Sequence, residues 1–572
     1  MNPSPLNPTW RTRRWSSLRS VGWPVRILLI LIVCVYARAL VAQATTLTFP
    51  PHGEHNHREA DTFSVALHFV TEGYTPFHPK VQWSNENSGV MGMETPILQT
   101  LMLPWMTLTP EPIAGRSVVF VFGIAATLAM CFLLSRRSIF ASFGFLLAVA
   151  LSPMALFEFR QIQPDGFIAA LGGISAWLFF RSSEVPSSKR RFLLAMSVFS
   201  ITLLAKQSAV VFGPAMVILA WGDTRFRHNV LRTATFLVPL LLVLAWMGWA
   251  RHLNDTYDGG RTYFAIDFDL KRMGQDLIST NRLRHIYTYV LPAYVASWAL
   301  WPFCLVGITE LFRAPNRRLG LALLAWLVAG VLFISAFSSR LHVHWYYACV
   351  LLIPITATIA LGIGAALEAI NGRVRPFAFA GLGAAAFGFL VAGARQHLGE
   401  AVGSSGPHDD HSWMNSYHLT ILFLLFAFGY SMAVALRRKV IWARIFGVMF
   451  ALLVVPRAWF DSNEALSYRT RREEIPGFIR DYLVPLRRAV DAIADKRDRF
   501  VVDTGTPATL WDLNRQGWVR VEDECTRENL LAWGKTGAKF YMHVGDEKAK
   551  LVGIPIAAGN RWSIFRISDL KR

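Results

Sequence analysis

Apolar segments of about bilayer length alternate with short polar segments along most of the chain. A helix that crosses the hydrocarbon core of a bilayer needs about 20 apolar residues, at a rise of about 1.5 Å per residue. About thirteen segments approach this length, and they predict membrane spans at residues 24–42, 113–134, 139–157, 166–180, 192–205, 208–221, 233–250, 290–311, 319–337, 345–370, 376–394, 417–436 and 440–455. The two short segments beside Lys206 either cross separately or form a hairpin that does not fully cross twice.

Positive charge in the loops between these segments predicts the topology. Cytoplasmic loops of membrane proteins carry an excess of Lys and Arg. With the N-terminus inside, the inner loops hold about 23 positive residues and the short outer loops hold about four, namely Arg160, Lys206, Arg340 and Arg395. The alternation predicts a multi-pass inner-membrane protein with a cytoplasmic tail at 1–23.

Three of the predicted outer segments are long, at 43–112, at 251–289 and after residue 456. The last of them has the pattern of a small α/β domain, with helical stretches at 475–494 and 526–533 and strand-like runs at 499–505, 538–544 and 561–567. The sequence therefore predicts an all-α polytopic membrane domain at 24–458, with its first outer loop at 43–112. An extracytoplasmic α/β domain is predicted at 459–572.

The composition agrees with a membrane protein and argues against other classes. Of the 572 residues, 53% are hydrophobic and only 17% are charged. The net charge of +20 comes from basic clusters between apolar segments, where it sets topology, so we expect no nucleic-acid partner. The Cys spacing matches neither a disulfide framework nor a metal-thiolate site. The first apolar segment has no convincing cleavage pattern and is interpreted as a retained anchor.

The first outer loop contains an amphipathic pattern in the run HREADTFSVALHFVTEG. Its apolar residues recur at helical spacing, at Ala60, Phe63, Leu67 and Val70. Its polar face carries Asp61, Ser64, His68 and Thr71. The pattern predicts a helix on the membrane surface that holds Asp61 at a fixed depth. The alternative is that Asp61 is a solvated helix-start residue that favours the macrodipole.

Two further acidic residues lie where an outer segment meets a helix. Glu94 precedes Thr95 and Pro96, a plausible helix start, so it is either an N-terminal charge or part of the cleft that holds Asp61. Asp165 follows Pro164 in the short turn FRQIQPDG, where it either caps the fourth span or has a functional role.

Basic and aromatic residues gather at the outer ends of other spans. Lys206 lies in the turn LLAKQSA and Arg340 opens the loop SSRLHVHWYYA. Both either snorkel to the interface or bind the phosphate of a lipid carrier. The residues that follow Arg340 suit an interfacial aromatic belt or a lipid-phosphate or sugar cleft, and they are His342, His344, Trp345, Tyr346 and Tyr347.

Metal binding has weak support in the sequence. The run PHGEHNHRE contains His52, His55 and His57, but the spacing matches no strong metal template. A divalent ion held by Glu94 and His285 stays an open alternative, and no cofactor is firmly implied.

The run READTFSVALHFVTEGYTPFHPKVQW, followed by METPILQ, QPDG and SSRLHVHWYY, resembles the GT-C glycosyltransferases of the protein-mannosyltransferase and aminoarabinose-transferase superfamily. The resemblance covers roughly residues 20–460. It implies catalytic acids at Asp61, Asp165 and Glu94. It also implies contacts to the carrier phosphate, with less weight, at Arg58, Lys206 and Arg340. Some members carry Glu after the catalytic acid, where this chain has Thr62, and this departure argues against a metal-binding acidic pair.

The function implied by the resemblance is transfer of a sugar from a polyprenyl-phosphate donor to a lipid, glycan or protein acceptor outside the cytoplasm. As a hypothesis, Asp61 acts as general base in one displacement that inverts the anomeric carbon, while Lys206 and Arg340 offset the phosphate charge. One alternative is a flippase or transporter of lipid-linked glycans, which would place charged residues deep in the spans. Another is a non-catalytic envelope assembly protein in which these acids are only helix caps.

Overall fold

The chain folds mainly into helices, with a small sheet near its C-terminus. The computed structural model describes residues 21–50, 56–82, 89–184, 189–221, 226–257, 270–297, 300–312, 317–341, 344–370, 459, 477–504, 508–520, 522–545, 554–559 and 561–571. The predicted spans at 376–394, 417–436 and 440–455 lie outside these residues and stay predictions, as do the predicted domain boundaries.

The helices of the first half carry the first outer loop and the first group of spans. They are α1 (Trp23–Ala44), α2 (Asn56–Thr71), α3 (Ile97–Met106), α4 (Pro112–Leu134), α5 (Ile139–Ala150), α6 (Pro153–Glu158), α7 (Pro164–Glu184), α8 (Lys189–Ala205), α9 (Gly213–Ala220) after a 3-10 turn at Gln207–Phe212, α10 (Phe226–Ala234) and α11 (Leu237–Tyr257).

The helices of the second half include two segments wound as π-helix. They are α12 (Leu270–Ile278), α13 (Thr280–His285) running into a π-helix at Ile286–Val295, α14 (Trp301–Leu311), α15 (Arg317–Ala336), α16 (Ser338–Leu341), α17 (Leu352–Ile370) after a 3-10 turn at Trp345–Leu351, a π-helix at Phe478–Leu483, α18 (Val484–Ile493), α19 (Ala508–Leu513) and α20 (Arg527–Lys535).

Five helices within the described residues are long and apolar enough to cross a membrane. They are Val25–Ala44, Pro112–Leu134, Asn229–Tyr257, Arg317–Ala336 and Trp345–Glu368. Each coincides with a predicted span, and together they support a multi-pass membrane protein. The total of about thirteen spans stays a prediction.

Two predicted spans are divided into shorter helices, which the sequence pattern did not predict. The span predicted at 139–157 divides into α5 and α6, because the Ser152 hydroxyl accepts a hydrogen bond from the Ala155 amide (3.1 Å) and begins a new helix. The same hydroxyl donates to the carbonyl of Val295 (2.6 Å), where the span predicted at 290–311 is interrupted in turn. One tertiary hydrogen bond therefore joins the two breaks.

The segment Trp345–Glu368 lies in the centre of the helical domain, and its span window is completely buried. It approaches α14 closely. A Cβ added at Gly307 would lie 1.8 Å from the Thr358 carbonyl oxygen, and one at Gly362 would lie 2.0 Å from that of Phe303. Only glycine permits such contact between two helix backbones.

The C-terminal residues form a five-stranded mixed sheet, which confirms the predicted α/β character of the tail. Its strands are β1 (Arg499–Val502), β2 (Gly517–Val519), β3 (Ala538–Val544), β4 (Ala557–Gly559) and β5 (Trp562–Arg566). The order is β2-β1-β3-β5-β4, parallel among the first three and antiparallel from β3 onward. The sequence pattern missed β2 and β4, because three residues are too few to show alternation.

Helix α2 lies between the membrane domain and the tail. Ala60 and Phe63 belong to the core of the membrane domain, whereas Val65 and Phe69 pack in the core that contains Leu486 and other tail residues. The helix was predicted correctly, but both of its faces are buried, so it does not lie on the membrane surface with one face in solvent. Asp61 is accordingly only 2% exposed.

Candidate active site

The candidate catalytic acid Asp61 lies near the start of α2 among other charged groups. Its Oδ2 is 3.3 Å from Nε2 of His57, one turn earlier on the helix. Arg58 of the same helix forms an ion pair with Glu94. Burial opposes the charge of Arg58, but its pKa is raised overall, because Glu94, Tyr346 and Asp61 favour the cation. Arg58 is therefore a permanent positive charge beside Asp61.

Glu94 faces the site rather than acting as a helix cap. The helix that follows it begins at Ile97, after Pro96 at the N-cap position. Glu94 is buried and its carboxylate meets the guanidinium of Arg58 from α2. The first outer loop therefore closes on itself through this ion pair, and the alternative that places Glu94 in the cleft of Asp61 agrees with the geometry.

Asp165 and Lys206 form a second buried ion pair across 41 residues of sequence. The Lys206 ammonium donates to both carboxylate oxygens of Asp165, at 2.8 and 2.6 Å. Asp165 is the second residue of α7, and Lys206 is the residue that precedes the 3-10 turn at Gln207–Phe212. Both side chains are buried, so neither is a snorkelling residue or a solvated cap.

Two tyrosines complete the surroundings of Lys206. Its ammonium lies 5.0 Å from the ring centre of Tyr346 and 4.9 Å from that of Tyr347, within the range of cation–π attraction. The His344 ring contacts both tyrosines, with centre distances of 5.3 and 6.0 Å. Burial and the nearby cations, of which Lys206 has the largest effect, lower the pKa of His344, so this imidazole is held neutral.

The two ion pairs belong to one cluster. Arg58 and Glu94 lie close enough to interact electrostatically with both Asp165 and Lys206. Arg340, which is exposed, acts in the same way on His344. We call this set the charged cluster, and it consists of Arg58, Asp61, Glu94, Asp165, Lys206 and Arg340. The structure thus brings together the six charged residues that the sequence singled out, while their roles stay predictions.

Helix α12, in the region 251–289 that was predicted to lie outside, positions the backbone beside Arg340. Asp276 of α12 accepts hydrogen bonds from the amide (3.1 Å) and the hydroxyl (2.6 Å) of Ser339. Asp276 also forms an ion pair with Arg282. No sequence pattern indicated this contact, since Asp276 lies in a segment without a recognisable motif.

A fully buried ion pair, Glu59–Arg116, lies next to the charged cluster. The guanidinium of Arg116 in α4 donates to both carboxylate oxygens of Glu59 at 2.7 Å, and its remaining N–H groups reach the carbonyls of Thr46, Phe49 and Pro50. The same Glu59 carboxylate accepts from the amide of Ile162 (3.2 Å), in the turn that leads to Asp165. We call this arrangement the Glu59–Arg116 clamp.

The clamp joins the helix of Asp61 to the turn of Asp165, and sequence reasoning missed it. One signal was present, because Arg116 is a charged residue inside an apolar segment, which is costly without a partner. His57 was considered only as a metal ligand, although its position four residues before Asp61 places both on one helix face.

Several predicted residues fall at the limit of the described structure. His342, His52 and His55 lie outside the described residues, and His285 ends α13 without a described side chain. Glu94, the other proposed metal ligand, is engaged by Arg58. Within the described part of the chain, no three His, Cys, Asp or Glu side chains gather as a metal site requires. Divalent-metal binding therefore stays untested, and no step below depends on it.

Solved structures with the same architecture exist, although no family model and no curated protein sequence matches the chain. ArnT from Cupriavidus metallidurans, solved bound to undecaprenyl phosphate, has a TM-score of 0.56 at 13% identity, over 93% of this chain and 97% of that one. The oligosaccharyltransferase AglB from Archaeoglobus fulgidus, solved with an inhibitory peptide and a dolichol-phosphate, has a TM-score of 0.50 at 11% identity, over 90% of this chain and 69% of that one.

Both proteins are GT-C glycosyltransferases, and the similarity to ArnT runs over nearly the full length of both chains. At these identities the similarity concerns the fold. It agrees with the resemblance seen in the sequence motifs, which was drawn from different evidence. The chain has the fold of the GT-C glycosyltransferase superfamily.

Proposed function

We propose that this protein transfers a glycosyl group from a polyprenyl-phosphate donor to an acceptor at the extracytoplasmic face of the inner membrane, with inversion at the anomeric carbon. The observation that carries the proposal is the charged cluster, in which a buried carboxylate, Asp61, lies beside Arg58, and Arg58 in turn interacts with the Asp165–Lys206 pair, in a GT-C fold. Such a site contains both a base for the acceptor and positive charge for a departing phosphate.

Asp61 is the proposed general base. An inverting displacement needs a carboxylate that takes the proton of the acceptor hydroxyl as its oxygen attacks the anomeric carbon. Glu94 and Asp165 are assigned another part, because they form the ion pairs with Arg58 and Lys206 respectively. Their proposed part is to hold these cations in position.

Lys206 and Arg340 are the proposed contacts to the carrier phosphate, with Arg58 behind them. Arg340 is exposed, and no ion pair holds its side chain within the described residues, so it can meet an incoming phosphate first. Lys206 is fixed by Asp165 and by the two tyrosine rings, so its charge needs little reorganisation when the phosphate departs. ArnT and AglB were each solved with a lipid phosphate, which supports a donor of this chemical class.

The aromatic residues beside the cations suit the sugar. Tyr346 and Tyr347 present rings to Lys206, and His344 contacts both rings as a neutral imidazole. Aromatic faces and neutral hydrogen-bonding groups fix the orientation of a ligand without adding charge. These residues are therefore the proposed sugar side of the cleft.

The test is release of free carrier from labelled donor. Purified protein would be incubated with undecaprenyl phosphates that carry radiolabelled hexoses or pentoses, together with envelope extract as acceptor. We expect release of undecaprenyl phosphate by the wild type and loss of at least about 10²-fold of this activity in Asp61→Asn. The matched control is Asp523→Asn, which changes an exposed acid of the tail and should leave release unchanged. Full activity of Asp61→Asn would refute its role as base, and donor movement across the membrane without release would favour a flippase.

A further inference from the structure

His57 is the titratable neighbour that connects Asp61 to solvent. Its Nε2 atom is 3.3 Å from Asp61 Oδ2, yet its side chain is 31% exposed, whereas that of Asp61 is only 3% exposed. Within one turn of α2, the pair therefore joins a buried carboxylate, Asp61, to a partly solvent-exposed imidazole, His57. A base that is buried this deeply must return its proton to solvent before each new turnover.

A purely structural pair would be arranged differently. Helices are stabilised when the acid precedes the base by four residues, because the acid then lies toward the positive end of the macrodipole. Here the order is reversed, with His57 at the second position of α2, whose first residue is Asn56. This order is the less favourable one for an ion pair within a helix, so the pair adds little to the stability of α2.

Arg58, the other charged neighbour of Asp61 on α2 that the structure describes, cannot serve this purpose. Arg58 is a permanent cation, as its raised pKa indicates. Imidazole is the side chain that exchanges protons readily near neutral pH. The described charged or titratable groups near His57 are Asp61 and Arg58 on its own helix and His344 from the segment packed against it. His344 is held neutral, so it does not compete for a proton.

We propose that His57 is a proton-relay residue, which takes from Asp61 the proton of the acceptor hydroxyl and passes it to solvent. The inference deepens the proposed glycosyl transfer and rests on it. A general acid or base that is regenerated by a second group is common in enzyme sites, but the motifs that resemble the GT-C family do not include His57.

The proton and electron balance is complete without a further reactant. The acceptor oxygen forms a bond to the anomeric carbon, and the bond from that carbon to the carrier phosphate oxygen breaks, with its electron pair leaving on the phosphate. The acceptor proton moves to Asp61 and then to Nε2 of neutral His57. The resulting imidazolium gives up its Nδ1 proton to water, which leaves the Nε2–H tautomer. Exchange of the ring protons with solvent then returns the Nδ1–H tautomer, whose Nε2 can accept the next proton, and the starting state is restored.

The experiment compares pH profiles of carrier release, with the labelled undecaprenyl-phosphate sugars described above. In the wild type, release should fall as pH is lowered, because protonated His57 cannot accept a second proton. In His57→Gln, which keeps a polar group of similar length but no basic nitrogen, kcat should fall about 10- to 100-fold. The acid limb of the profile should move to lower pH, and KM for the donor should stay within about twofold.

Two further variants separate a relay from a structural role. His57→Ala should regain activity with added imidazole but not with pyrrole, a ring of the same size without a basic nitrogen. His68→Gln removes the other histidine–acid pair of α2, in which His68 Nδ1 lies 2.8 Å from Glu72, and should keep the wild-type pH profile.

Each outcome is decisive. An unchanged acid limb in His57→Gln, or a loss of activity in His57→Ala that imidazole does not restore, overturns the relay while leaving the transferase intact. No carrier release by the wild type overturns the proposed function together with the relay. Release by the wild type, with a shifted profile in His57→Gln and rescue by imidazole, establishes both.

Discussion

Replacing Arg116 with Met tests whether the Glu59–Arg116 clamp holds the candidate site together. The substitution keeps an unbranched side chain of similar length but removes every N–H donor. It leaves the Glu59 carboxylate, which is 1% exposed, without the guanidinium that donates to both of its oxygens, although the buried Arg160 still interacts with it. It also removes a donor from the carbonyls of Thr46, Phe49 and Pro50.

The size of the effect follows from burial. Breaking a buried ion pair by removing one partner costs about 3–5 kcal/mol, because the remaining charge stays uncompensated. Each carbonyl left without a donor adds about 1–3 kcal/mol where water cannot reach it. We therefore expect Arg116→Met to lower the free energy of opening of α2 by at least about 3 kcal/mol. This change corresponds to amide hydrogen exchange that is about 10²-fold faster.

Hydrogen exchange followed by mass spectrometry measures this directly in detergent-solubilised protein. Amides of α2 and of the turn that contains Ile162 should exchange about 10²-fold faster in Arg116→Met. The double variant Glu59→Gln, Arg116→Met should recover part of the protection, because the Glu59 charge is removed together with the guanidinium that compensated it. The matched control is Arg181→Met, which breaks the more exposed ion pair with Glu184 and should cost about 0–1 kcal/mol.

The reasoning fails if Arg116→Met exchanges no faster in α2 than Arg181→Met does. It also fails if the double variant is less protected than the single one, since the unpaired charge would then not be the source of the cost. Carrier release should fall together with protection in Arg116→Met. If Arg116→Met is destabilised but fully active, the clamp is not needed to position Asp61 for carrier release.

Two further predictions concern other buried charges. Lys206→Met should lower carrier release at least about 10²-fold and destabilise the site by about 3–5 kcal/mol, because it leaves Asp165 buried without its cation. The double variant Lys206→Met, Asp165→Asn should regain thermal stability but not activity. In the tail, burial raises the pKa of Asp512 to about 8, with Arg487 opposing the shift. The folded state then holds a proton that the unfolded state has already lost, so the tail should lose stability as pH rises from about 4 to about 8, by at most about 5 kcal/mol. Hydrogen exchange of α19 across this range should show the trend in the wild type and a much weaker one in Asp512→Asn.

Local patterns were sufficient for the elements but not for their partners. Helix α2, the five long apolar helices and the strands β1, β3 and β5 follow from hydrophobic periodicity, which is a property of neighbouring residues. The division of the predicted span at 139–157 was not predictable in this way. It depends on Ser152, whose hydroxyl reaches Val295 in a distant part of the chain. A serine within an apolar run has the same local pattern whether or not such a partner exists.

In the candidate site too, local sequence patterns identified residues but not the partners that they contact. Acidic and basic residues at the predicted outer span ends were the candidate site residues, and the structure brings them together. The pairing itself was hidden, because the partners Asp165 and Lys206 are separated by 41 positions and Arg58 and Glu94 by 36. Only the fold determines which cation meets which carboxylate.

This distribution of partners has a consequence for the proposed reaction. Before transfer, a phosphodiester donor carries one negative charge and Asp61 carries another. After transfer, Asp61 holds the acceptor proton, and the released carrier phosphate has gained a charge on its leaving oxygen. The step therefore moves one negative charge from Asp61 toward the phosphate, without changing the total inside the site. Cations at the carrier end, proposed as Lys206 and Arg340, favour this movement, and a proton that remained on Asp61 would block the next turnover until His57 removed it.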